Sequence, residues 1–485
     1  MTLQDNAGKT GHSRLAIIAG VALFAAISAY YCLRPRLVLG DPDIWWHVHI
    51  GKDIIANRMV PYVDQYSYTF EGQPWIAKEW LSQVLLGAAH DVGGWSGVML
   101  LSVFATTAAL LACFLELSRH FRITVAAVIT AVIGFVLTAV VVGRPHLFTL
   151  PIMVVFTVRL FRASAEQRPP EYRLLALVVL WANLHGSFTL ALMIAGFAFF
   201  DMLETSRLSS RSLIIKWVVF VVLAAASTLL TPYGFTLYAI NFDMVAGNQT
   251  MPFITEWQPF SATRDDLMEL GLLAAIGGLI AMRAHPGWAR VLFILFALHM
   301  FLTHVRFVYV FFLLTPLVVA SAAAARNPAI ARGPDGQSAK GTWPLATSLA
   351  ALVIAGFIGF AWAYPFEPQK RRSVEDAIAY VRANGLTGPV VNGYNLGGVL
   401  IFNGFKTFLD GRTEQLFDGQ FMVDYLAAGR PGGEEIMRRI LDQHKAEWTI
   451  FPKRDIRNRH IAAAPGWSKA YEDDYVIIHV RSAPQ

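Results

Sequence analysis

A stretch of unusual composition, Gly40–Trp80, directly follows the first long apolar run of the sequence. At its start, Asp41 and Asp43 lie on either side of Pro42. A carboxylate is the usual base for removing a proton from a hydroxyl acceptor, and partial burial or a nearby cation holds it in the required state. The proline favours extended backbone, so we expect the two carboxylates to point to opposite sides. We interpret Asp41 as the catalytic base and Asp43 as the N-cap of the helix that follows. The alternative is that both only cap and solvate a surface helix.

His47 and Glu79 are the other candidate groups in this stretch, and we expect both to contact substrate. Asp41, Asp43 and His47 also raise the question of a metal. Their spacing matches no closed zinc pattern, and carboxylates with a histidine better suit Mg²⁺ or Mn²⁺ bound partly through water. Carboxylates near a membrane act without metal at least as often. The sequence therefore leaves metal dependence open.

Two arginines with neighbouring histidines end apolar runs further along the chain. Arg144 is followed by His146, and Arg306 is preceded by His304. Arginine is permanently charged and binds phosphate through two parallel hydrogen bonds, so an arginine beside a cavity suits a phosphorylated lipid headgroup. The alternative for a terminal arginine is snorkelling to membrane phosphates. Arg306 fits that alternative less well, because its surroundings are largely apolar and its burial requires a partner.

Two more polar pairs are candidates for substrate binding. Asn183 and His185 interrupt a long apolar segment, where they suit either a sugar hydroxyl or phosphate, or the backbone groups left open by a helix break. Glu256 and Trp257 form a carboxylate–aromatic pair of the kind that binds sugars, with the ring offering a face and the carboxylate accepting hydroxyls.

The composition indicates which class of protein positions these groups. Of 485 residues, 55% are hydrophobic and only 15% are charged, and the mean hydropathy is +0.46. Soluble domains contain roughly 45–50% apolar residues, so we predict a polytopic α-helical membrane protein. The net charge of +6 does not require a nucleic acid partner. The basic residues fall in short loops between apolar runs, where charge bias across the membrane explains them.

Apolar runs long enough to cross about 30 Å of hydrocarbon predict about eleven spans. Two lie within 172–204, on either side of the polar sequence WANLHGS, and the others are at 15–33, 96–116, 123–142, 146–162, 213–231, 266–282, 289–304, 307–325 and 343–363. Arginines flank 172–204 on both sides, so both flanks are expected to be cytoplasmic and the segment to cross twice. The same rule places the N-terminus inside and loops 34–95 and 232–265 outside.

The C-terminal part of the chain has the composition of a soluble domain. We predict a transmembrane catalytic domain at 1–366 and a small extracytoplasmic α/β domain at 367–485. SVEDAIAYVRANG is typical of an amphipathic helix, with Ser373 as N-cap and Gly385 as its stop. PVVNGY, KTFLDGR, EWTIFP and YEDDYVIIHVR are predicted strands, and 414–429 and 433–444 are predicted helices.

Together these residues resemble the GT-C superfamily, the multi-spanning glycosyltransferases that use polyprenyl-phosphate-linked sugars, and most of all a poorly characterised bacterial branch. The matching segments are DPDIWWH (41–47), PYVDQYSYT (61–69), KEWL (78–81), RP (144–145), WANLHG (181–186), TPYG (231–234), EW (256–257), NGY (392–394), GG (397–398) and LDGR (409–412). Asp41-Pro42 also resembles the aspartate-proline of the oligosaccharyltransferase catalytic subunit. The resemblance covers most of the chain.

The resemblance implies a first-loop aspartate as base or metal-side carboxylate, a basic residue on the donor phosphate, and an outer α/β domain that closes over the acceptor. On the acceptor side it points to Tyr394, Asn395, Asp410 and Arg412. The oligosaccharyltransferase acceptor motif Trp-Trp-Asp-x-Gly is absent, and its nearest counterpart is GYNLG at 393–397. This difference argues against peptide N-glycosylation.

We therefore expect transfer of a sugar from a polyprenyl-phosphate-linked donor to a lipid, glycan or protein acceptor at the outer side of the inner (cytoplasmic) membrane. One alternative is a transporter or lipid scramblase. Transporters place polar residues on broken helices at the bilayer midplane, whereas here they crowd at the outer helix ends, which favours an enzyme. Another is a non-catalytic subunit of an envelope polysaccharide assembly system. The sequence identifies neither the sugar, nor the carrier length, nor the acceptor.

Overall fold

The computed structural model describes residues 3–206, 211–246, 254–283, 285–331, 343–368 and 371–482. The helices are α1 (Leu3–Cys32), α2 (Pro35–Leu39), α3 (Asp43–Asn57), α4 (Trp80–His120), α5 (Ile123–Leu137), α6 (Leu150–Ala165), α7 (Leu174–Leu184), α8 (Thr189–Ser206), α9 (Arg211–Ser227), α10 (Thr236–Ala246), α11 (Asp266–Ala281), α12 (Trp288–Thr303), α13 (Val308–Arg326), α14 (Trp343–Ala363), α15 (Arg371–Ala383), α16 (Gly397–Phe402), α17 (Gln420–Ala427), α18 (Glu434–Gln443) and α19 (Arg457–Ala462). The strands are β1 (Val390–Asn392), β2 (Trp448–Pro452), β3 (Trp467–Glu472) and β4 (Val476–Arg481).

The chain divides into two compact units. The first unit comprises Met1–Val38, Val98–Gly234 and Thr255–Phe366, and the second comprises Leu39–Gly97, Phe235–Ile254 and Glu367–Gln485. The segment 34–95, predicted as a loop, contains α2, α3 and the start of α4. Most of it therefore folds with the C-terminal residues into the second unit. Residues 247–253 of the predicted loop 232–265 lie outside the described residues.

Apolar helices dominate the first unit. Within the described residues, four helical segments are long and apolar enough to cross a membrane: Trp80–His120, Pro145–Ala165, Gly186–Ser206 and Val305–Arg326. Shorter apolar helices lie at Ile18–Cys32, Ile123–Leu137, Leu174–Leu184, Trp288–Thr303 and Ser348–Ala363. Every predicted span overlaps a helix. The count of about eleven crossings stays a prediction.

The polar break predicted within 172–204 is present. α7 ends at Leu184, the backbone of His185 is extended (φ −162°, ψ 147°), and a short 3₁₀ turn leads into α8. Nδ1 of His185 accepts the backbone N–H of Ser187 at 3.0 Å. The hydroxyl of Ser187 accepts the indole N–H of Trp181 at 3.0 Å. These bonds satisfy polar groups that the interrupted helix leaves open.

The centre of the first unit is a bundle in which α6 packs on α8 and α13, and α12 packs on α8 and α13. A buried ion pair joins α8 to α12: Arg290 donates from Nε and Nη2 to Asp201 at 2.8 and 3.0 Å. Asp201 is 2% exposed and also accepts the hydroxyl of Ser164. A buried carboxylate is tolerated when it is paired and hydrogen-bonded in this way.

The second unit is built on a four-stranded sheet with the order β1-β2-β4-β3. β1 and β2 pair in parallel, and β4 is antiparallel to both β2 and β3. The strand prediction is correct for PVVNGY and EWTIFP and wrong for KTFLDGR, which makes only an isolated bridge from Thr407 to Ser67. The hydroxyl of Thr407 donates instead to Asp410 at 2.9 Å. Local side-chain bonds of this kind compete with sheet formation.

The helix predictions for 367–485 differ from the structure mainly in their ends. α15 begins at Arg371, so Ser373 lies within its first turn and does not precede it. The helix ends at Ala383, and Gly385 follows in a left-handed conformation (φ +64°) that favours glycine at a helix stop. Residues 414–419, predicted as helical, precede α17.

α3 is part of the core of the second unit. Its apolar face places Trp46, Ile50 and Ile54 in one buried cluster with Phe408 and Tyr425. The chain between α3 and α4 is fixed to the same core by hydrogen bonds, from Tyr68 to the carbonyl of Val390 at 3.0 Å and from Thr69 to the carbonyl of Phe408 at 2.7 Å. The packing of α3 thus fixes the position of the acidic residues at its start.

Candidate functional site

Asp41 and Asp43 form a hydrogen-bonded turn at the start of α3. Oδ1 of Asp41 accepts the backbone N–H of Asp43 at 2.8 Å. The predicted capping role of Asp43 is therefore wrong, because Asp43 is the first residue of the helix and Pro42 occupies the N-cap position. Aspartate often binds the N–H two residues ahead, and Pro42 has no N–H to offer. Asp41 is 9% exposed, whereas Asp43 is only partly buried.

The carboxylate of Asp43 is held in turn by α3 and by a glycine. Its Oδ1 accepts the indole N–H of Trp46 at 3.0 Å. The backbone of Gly411 lies against it so closely that a Cβ there would be 1.9 Å from Oδ1 of Asp43. A Cβ on Gly398 would be 2.4 Å from the carbonyl oxygen of Pro42. Glycine at these positions permits the close approach of C-terminal backbone to the start of α3.

Asp410 and Arg412, predicted on the acceptor side, lie in a buried ion cluster. Arg412 donates from Nε and Nη2 to the two oxygens of Asp410, both at 2.7 Å, and from Nη1 to Asp64. Asp410 is 0% exposed, Asp64 1% and Arg412 3%. The side chains therefore offer no open surface to an acceptor. They fix the loop that carries Gly411.

The two carboxylates favour the charged form of Arg412. Burial alone would lower the pKa of the Arg412 guanidinium, but Asp410 and Asp64 raise it above its ordinary value. The guanidinium also lies 4.9 Å from the ring centre of Trp75 and 5.3 Å from that of Tyr66. Burial, reinforced by Asp53, raises the pKa of the Tyr66 phenol, so it stays neutral.

His47 and Glu79 come together near Gln83. The side-chain amide of Gln83 lies 3.3 Å from Nδ1 of His47. Nε2 of His47 lies 4.0 Å from Oε2 of Glu79. Across the described ranges, no group of three or more His, Cys, Asp or Glu side chains is arranged to hold a metal ion.

Tyr394 and Asn395 occupy the 3₁₀ turn that precedes α16. Asn395 is exposed, and Tyr394 is partly buried. The phenol of Tyr394 lies 3.3 Å from the hydroxyl of Thr413, and its backbone N–H donates to the phenol of Tyr425 at 2.8 Å. Of the four predicted acceptor-side residues, Tyr394 and Asn395 are therefore the ones with exposed surface.

In the first unit the structure brings together residues that are far apart in the sequence. We call this set the polar cluster: Arg144, His146, His185, Glu256, Trp257, His304 and Arg306. Arg144 donates to Glu256 at 2.7 Å, and Nδ1–H of His304 donates to the carbonyl of Trp257 at 2.8 Å. The ring of His146 lies 5.7 Å from that of Tyr309 and 6.2 Å from that of His185.

Trp257 supports Arg306. The guanidinium carbon of Arg306 lies 4.4 Å from the ring centre of Trp257, a cation–π distance, and the ring of His304 packs edge-on at 5.1 Å. Trp257 is 7% exposed, so its ring is not an open platform for a sugar. It packs against Arg306, whose sequence context required a partner.

Asn183 and His185 make the structural bonds that the helix break requires. The amide of Asn183 donates to the carbonyls of Val179 at 2.8 Å and Leu230 at 2.9 Å. His185 closes the turn before α8 through Ser187. Of the two, only His185 belongs to the polar cluster, through its ring contact with His146.

The polar cluster lies where three helices begin. His146 precedes α6, His185 precedes α8, and Arg306 precedes α13, each in or beside a 3₁₀ turn. Backbone N–H groups and the helix dipole make such starts favourable for negative charge. With Arg144 and Arg306 beside them, the arrangement is suited to bind an anion such as a phosphate.

The structure also identifies residues that the sequence did not single out. Asp64 and Gly411 lie within motifs that mark the resemblance, but no role could be assigned to them. Tyr309 and Gln83 carry no such signal. Their parts in the sites depend on helices packing against each other, which sequence spacing alone does not reveal.

Comparison with known proteins finds solved structures of similar fold. No protein-family profile matches the sequence, and no curated protein matches it. Among solved structures, the oligosaccharyltransferase of Archaeoglobus fulgidus in the apo form matches with a TM-score of 0.53 and 13% identity, over 90% of this chain and 69% of that one. The oligosaccharyltransferase AglB of the same organism, in complex with an inhibitory peptide and a dolichol-phosphate, matches with a TM-score of 0.52, 12% identity and the same coverage.

ArnT from Cupriavidus metallidurans, bound to undecaprenyl phosphate, matches with a TM-score of 0.53 and 12% identity, over 96% of this chain and 99% of that one. These neighbours are GT-C glycosyltransferases. The chain therefore has a GT-C-like fold, as its motifs predict. With its apolar helices, it is an integral membrane protein of that fold.

Proposed function

We propose that this protein is a glycosyltransferase that moves a sugar from a polyprenyl-phosphate-linked donor to a hydroxyl acceptor on the outer side of the inner membrane. The observation that carries the proposal is the polar cluster, in which Arg144 and Arg306 lie where α6, α8 and α13 begin. Two of the solved structures of similar fold contain dolichol-phosphate or undecaprenyl phosphate, which supports a lipid phosphate as the carrier.

We assign the polar cluster to binding the phosphate of the carrier lipid. Arg306, oriented by Trp257, and Arg144, held by Glu256, supply guanidinium donors. When the bond between the anomeric carbon and the phosphate oxygen breaks, the phosphate takes the electron pair and gains negative charge. Cations and helix starts arranged beforehand stabilise that charge without reorganisation. The same groups hold the carrier before and after transfer.

We assign removal of the acceptor proton to Asp43, with Asp41 in a supporting role. Asp41 is committed to the N–H of Asp43, and Asp43 is the more exposed of the two. In the proposed step the Asp43 carboxylate removes the proton of the acceptor hydroxyl as its oxygen attacks the anomeric carbon. Binding of the sugar and acceptor hydroxyls is assigned to His47 and Glu79, together with Tyr394 and Asn395. The acceptor is a lipid, a glycan or a protein.

Transfer can be tested with the full chain in lipid nanodiscs, given polyprenyl phosphates that carry radiolabelled sugars and a lipid and glycan extract of bacterial inner membranes as acceptor. We expect label in a new product and an equal amount of free polyprenyl phosphate. Arg306→Gln should raise the KM for the donor by about tenfold, because a charged hydrogen bond to phosphate is lost.

Arg173→Gln is the matched control, since Arg173 is 71% exposed and belongs to a loop outside the polar cluster. It should leave the KM for the donor unchanged. The proposal would be rejected if no labelled donor gave product, or if Arg306→Gln and Arg144→Gln both transferred sugar with the KM of the wild type.

A further inference from the structure

A second polar region in the first unit has no part in the proposed transfer. It is a cavity of about 410 Å³ between α4, α6, α12 and α13. On α6 its walls include Thr157, Phe161 and Arg162. An α-helix rises 1.5 Å per residue, so Arg162 lies about 18 Å along α6 from Leu150, the first residue of the helix, which follows His146 of the polar cluster. The cavity is therefore a separate site at the other end of the same helix.

Basic and acidic side chains both line this cavity. Arg119, Arg162, Arg290 and His120 lie in its walls together with Glu116 and Glu166, and Arg290 is paired with Asp201.

Three basic side chains surround Glu116. It accepts a hydrogen bond from Arg162 and lies 3.6 Å from Nε of Arg119 and 3.4 Å from Nε2 of His120. Two guanidinium groups and an imidazole thus lie around one carboxylate at the wall of the cavity.

Thr157 adds an independent observation. Its side chain is 1% exposed, yet its hydroxyl makes no hydrogen bond within the part of the chain that the structure describes. A buried hydroxyl without a partner is unfavourable, and a bound acceptor would relieve the cost. Thr157 and Arg162 both line the cavity, together with the apolar side chains of Val158 and Phe161 on the same helix.

From this geometry we infer a binding site for a phosphate group that is independent of sugar transfer. The hydroxyl of Thr157 and the guanidinium groups of Arg162 and Arg119 donate hydrogen bonds to the phosphate oxygens. The apolar walls, including Phe161 and Leu317, contact the carbon skeleton next to the phosphate. A lipid headgroup and a soluble phosphate share this chemistry, and the experiment separates them.

The test measures equilibrium binding of radiolabelled dioleoyl phosphatidylglycerol, dioleoyl phosphatidylcholine and inorganic phosphate to the full chain in detergent. We expect saturable binding of phosphatidylglycerol, weakened by about tenfold in Arg162→Gln and by severalfold in Thr157→Val, since each removes a donor. Phosphatidylcholine, which has no net charge, should bind more weakly. If inorganic phosphate bound as tightly as phosphatidylglycerol, the site would be one for soluble phosphates.

Two controls separate this site from the polar cluster and from general charge. Arg173→Gln and Arg306→Gln should leave the binding of phosphatidylglycerol unchanged. Thr157→Val preserves side-chain shape and charge, so it remains informative if Arg162→Gln does not fold. The inference would be overturned if neither phosphatidylglycerol nor inorganic phosphate bound saturably, or if Thr157→Val bound both as the wild type does.

Discussion

Oδ1 of Asp41 accepts the backbone N–H of Asp43 at 2.8 Å, so the first acidic residue of the pair holds the second. Asp43 is thereby fixed at the first position of α3, where Trp46 and Gly411 contact its carboxylate. The two aspartates are not equivalent. We assign Asp41 to positioning Asp43, and Asp43 to proton transfer.

This difference predicts how substitutions at Asp41 affect stability. Alanine removes the acceptor for the N–H of Asp43 and should lower the free energy of unfolding by about 1 kcal/mol, as expected for a lost cap. Asparagine keeps a side-chain oxygen and should retain most of the stability. Denaturant titration of the full chain in detergent measures both. Equal losses for alanine and asparagine would show that the hydrogen bond is not what Asp41 contributes.

Gly411 is predicted to control the position of Asp43. In Gly411→Ala the new Cβ would lie 1.9 Å from Oδ1 of Asp43 and 3.0 Å from the indole nitrogen of Trp46, so both side chains must move. A shift of about 1 Å at a reacting group can cost about a hundredfold in rate, and we expect a loss of sugar transfer of that order.

Gly93→Ala is the control for this effect. Gly93 belongs to the same unit, its φ is −138°, and no atom lies within 4 Å of an added Cβ. This variant should transfer sugar at the wild-type rate. A wild-type rate in Gly411→Ala would mean that the position of Asp43 is not critical.

The buried position of Arg412 predicts a large loss of stability on substitution. Arg412→Gln leaves Asp64 and Asp410 without their cation and should cost about 3–5 kcal/mol of unfolding free energy. Arg438→Gln removes an arginine whose side chain is 54% exposed in a pair with Glu435. Surface pairs contribute about 0–1 kcal/mol, so this control should change little. Similar losses for the two variants, measured by denaturant titration, would contradict the structural role of Arg412.

The stability of the second unit should fall in mild acid. Burial lowers the pKa of His444, which packs edge-on against Phe408, and also lowers the pKa values of His479 and His49. Below the ordinary histidine pKa of 6.5, the unfolded chain therefore binds protons more readily than the folded chain. Unfolding is favoured as the pH falls through this range, and this loss of stability is absent at pH values well above 6.5.

His444→Leu removes one of these groups. The loss of melting temperature between about pH 7.5 and about pH 5.5 should be smaller in this variant than in the wild type. Melting can be followed by tryptophan fluorescence of the full chain in detergent. An identical pH dependence in the two proteins would show that His444 does not titrate differently on folding.

The helical part of the fold is well predicted from the sequence, because long apolar runs and their interruptions are local signals. The break at His185 is an example, since WANLHGS places polar groups in the middle of a run. The strand predicted at 406–412 fails because Thr407 and Asp410 bond to each other, and side-chain bonds of this kind are not visible in a pattern of apolar residues.

The sites are less predictable because their members are far apart in the chain. Asp64 and Arg412 are 348 residues apart, and Arg144 and Glu256 are 112 apart. Residue types identified Arg144, Glu256 and Arg306 as candidates, but only the packing of α6, α8, α12 and α13 shows which of them meet. From the sequence we interpreted Asp41 as the catalytic base, although an aspartate before proline readily accepts the N–H two residues ahead, so the hydrogen bond to Asp43 could have been predicted.

The most direct test of the proposed mechanism is the initial rate of sugar transfer from a labelled polyprenyl-phosphate donor by Asp43→Asn, compared with Asp41→Asn. Losing a general base costs about a hundredfold or more, so Asp43→Asn should fall by at least that factor, while Asp41→Asn, which keeps its hydrogen bond, should stay within about tenfold of the wild type. Wild-type transfer by Asp43→Asn would contradict the assignment. A loss of sugar transfer in Asp41→Asn alone would indicate that Asp41 is the base.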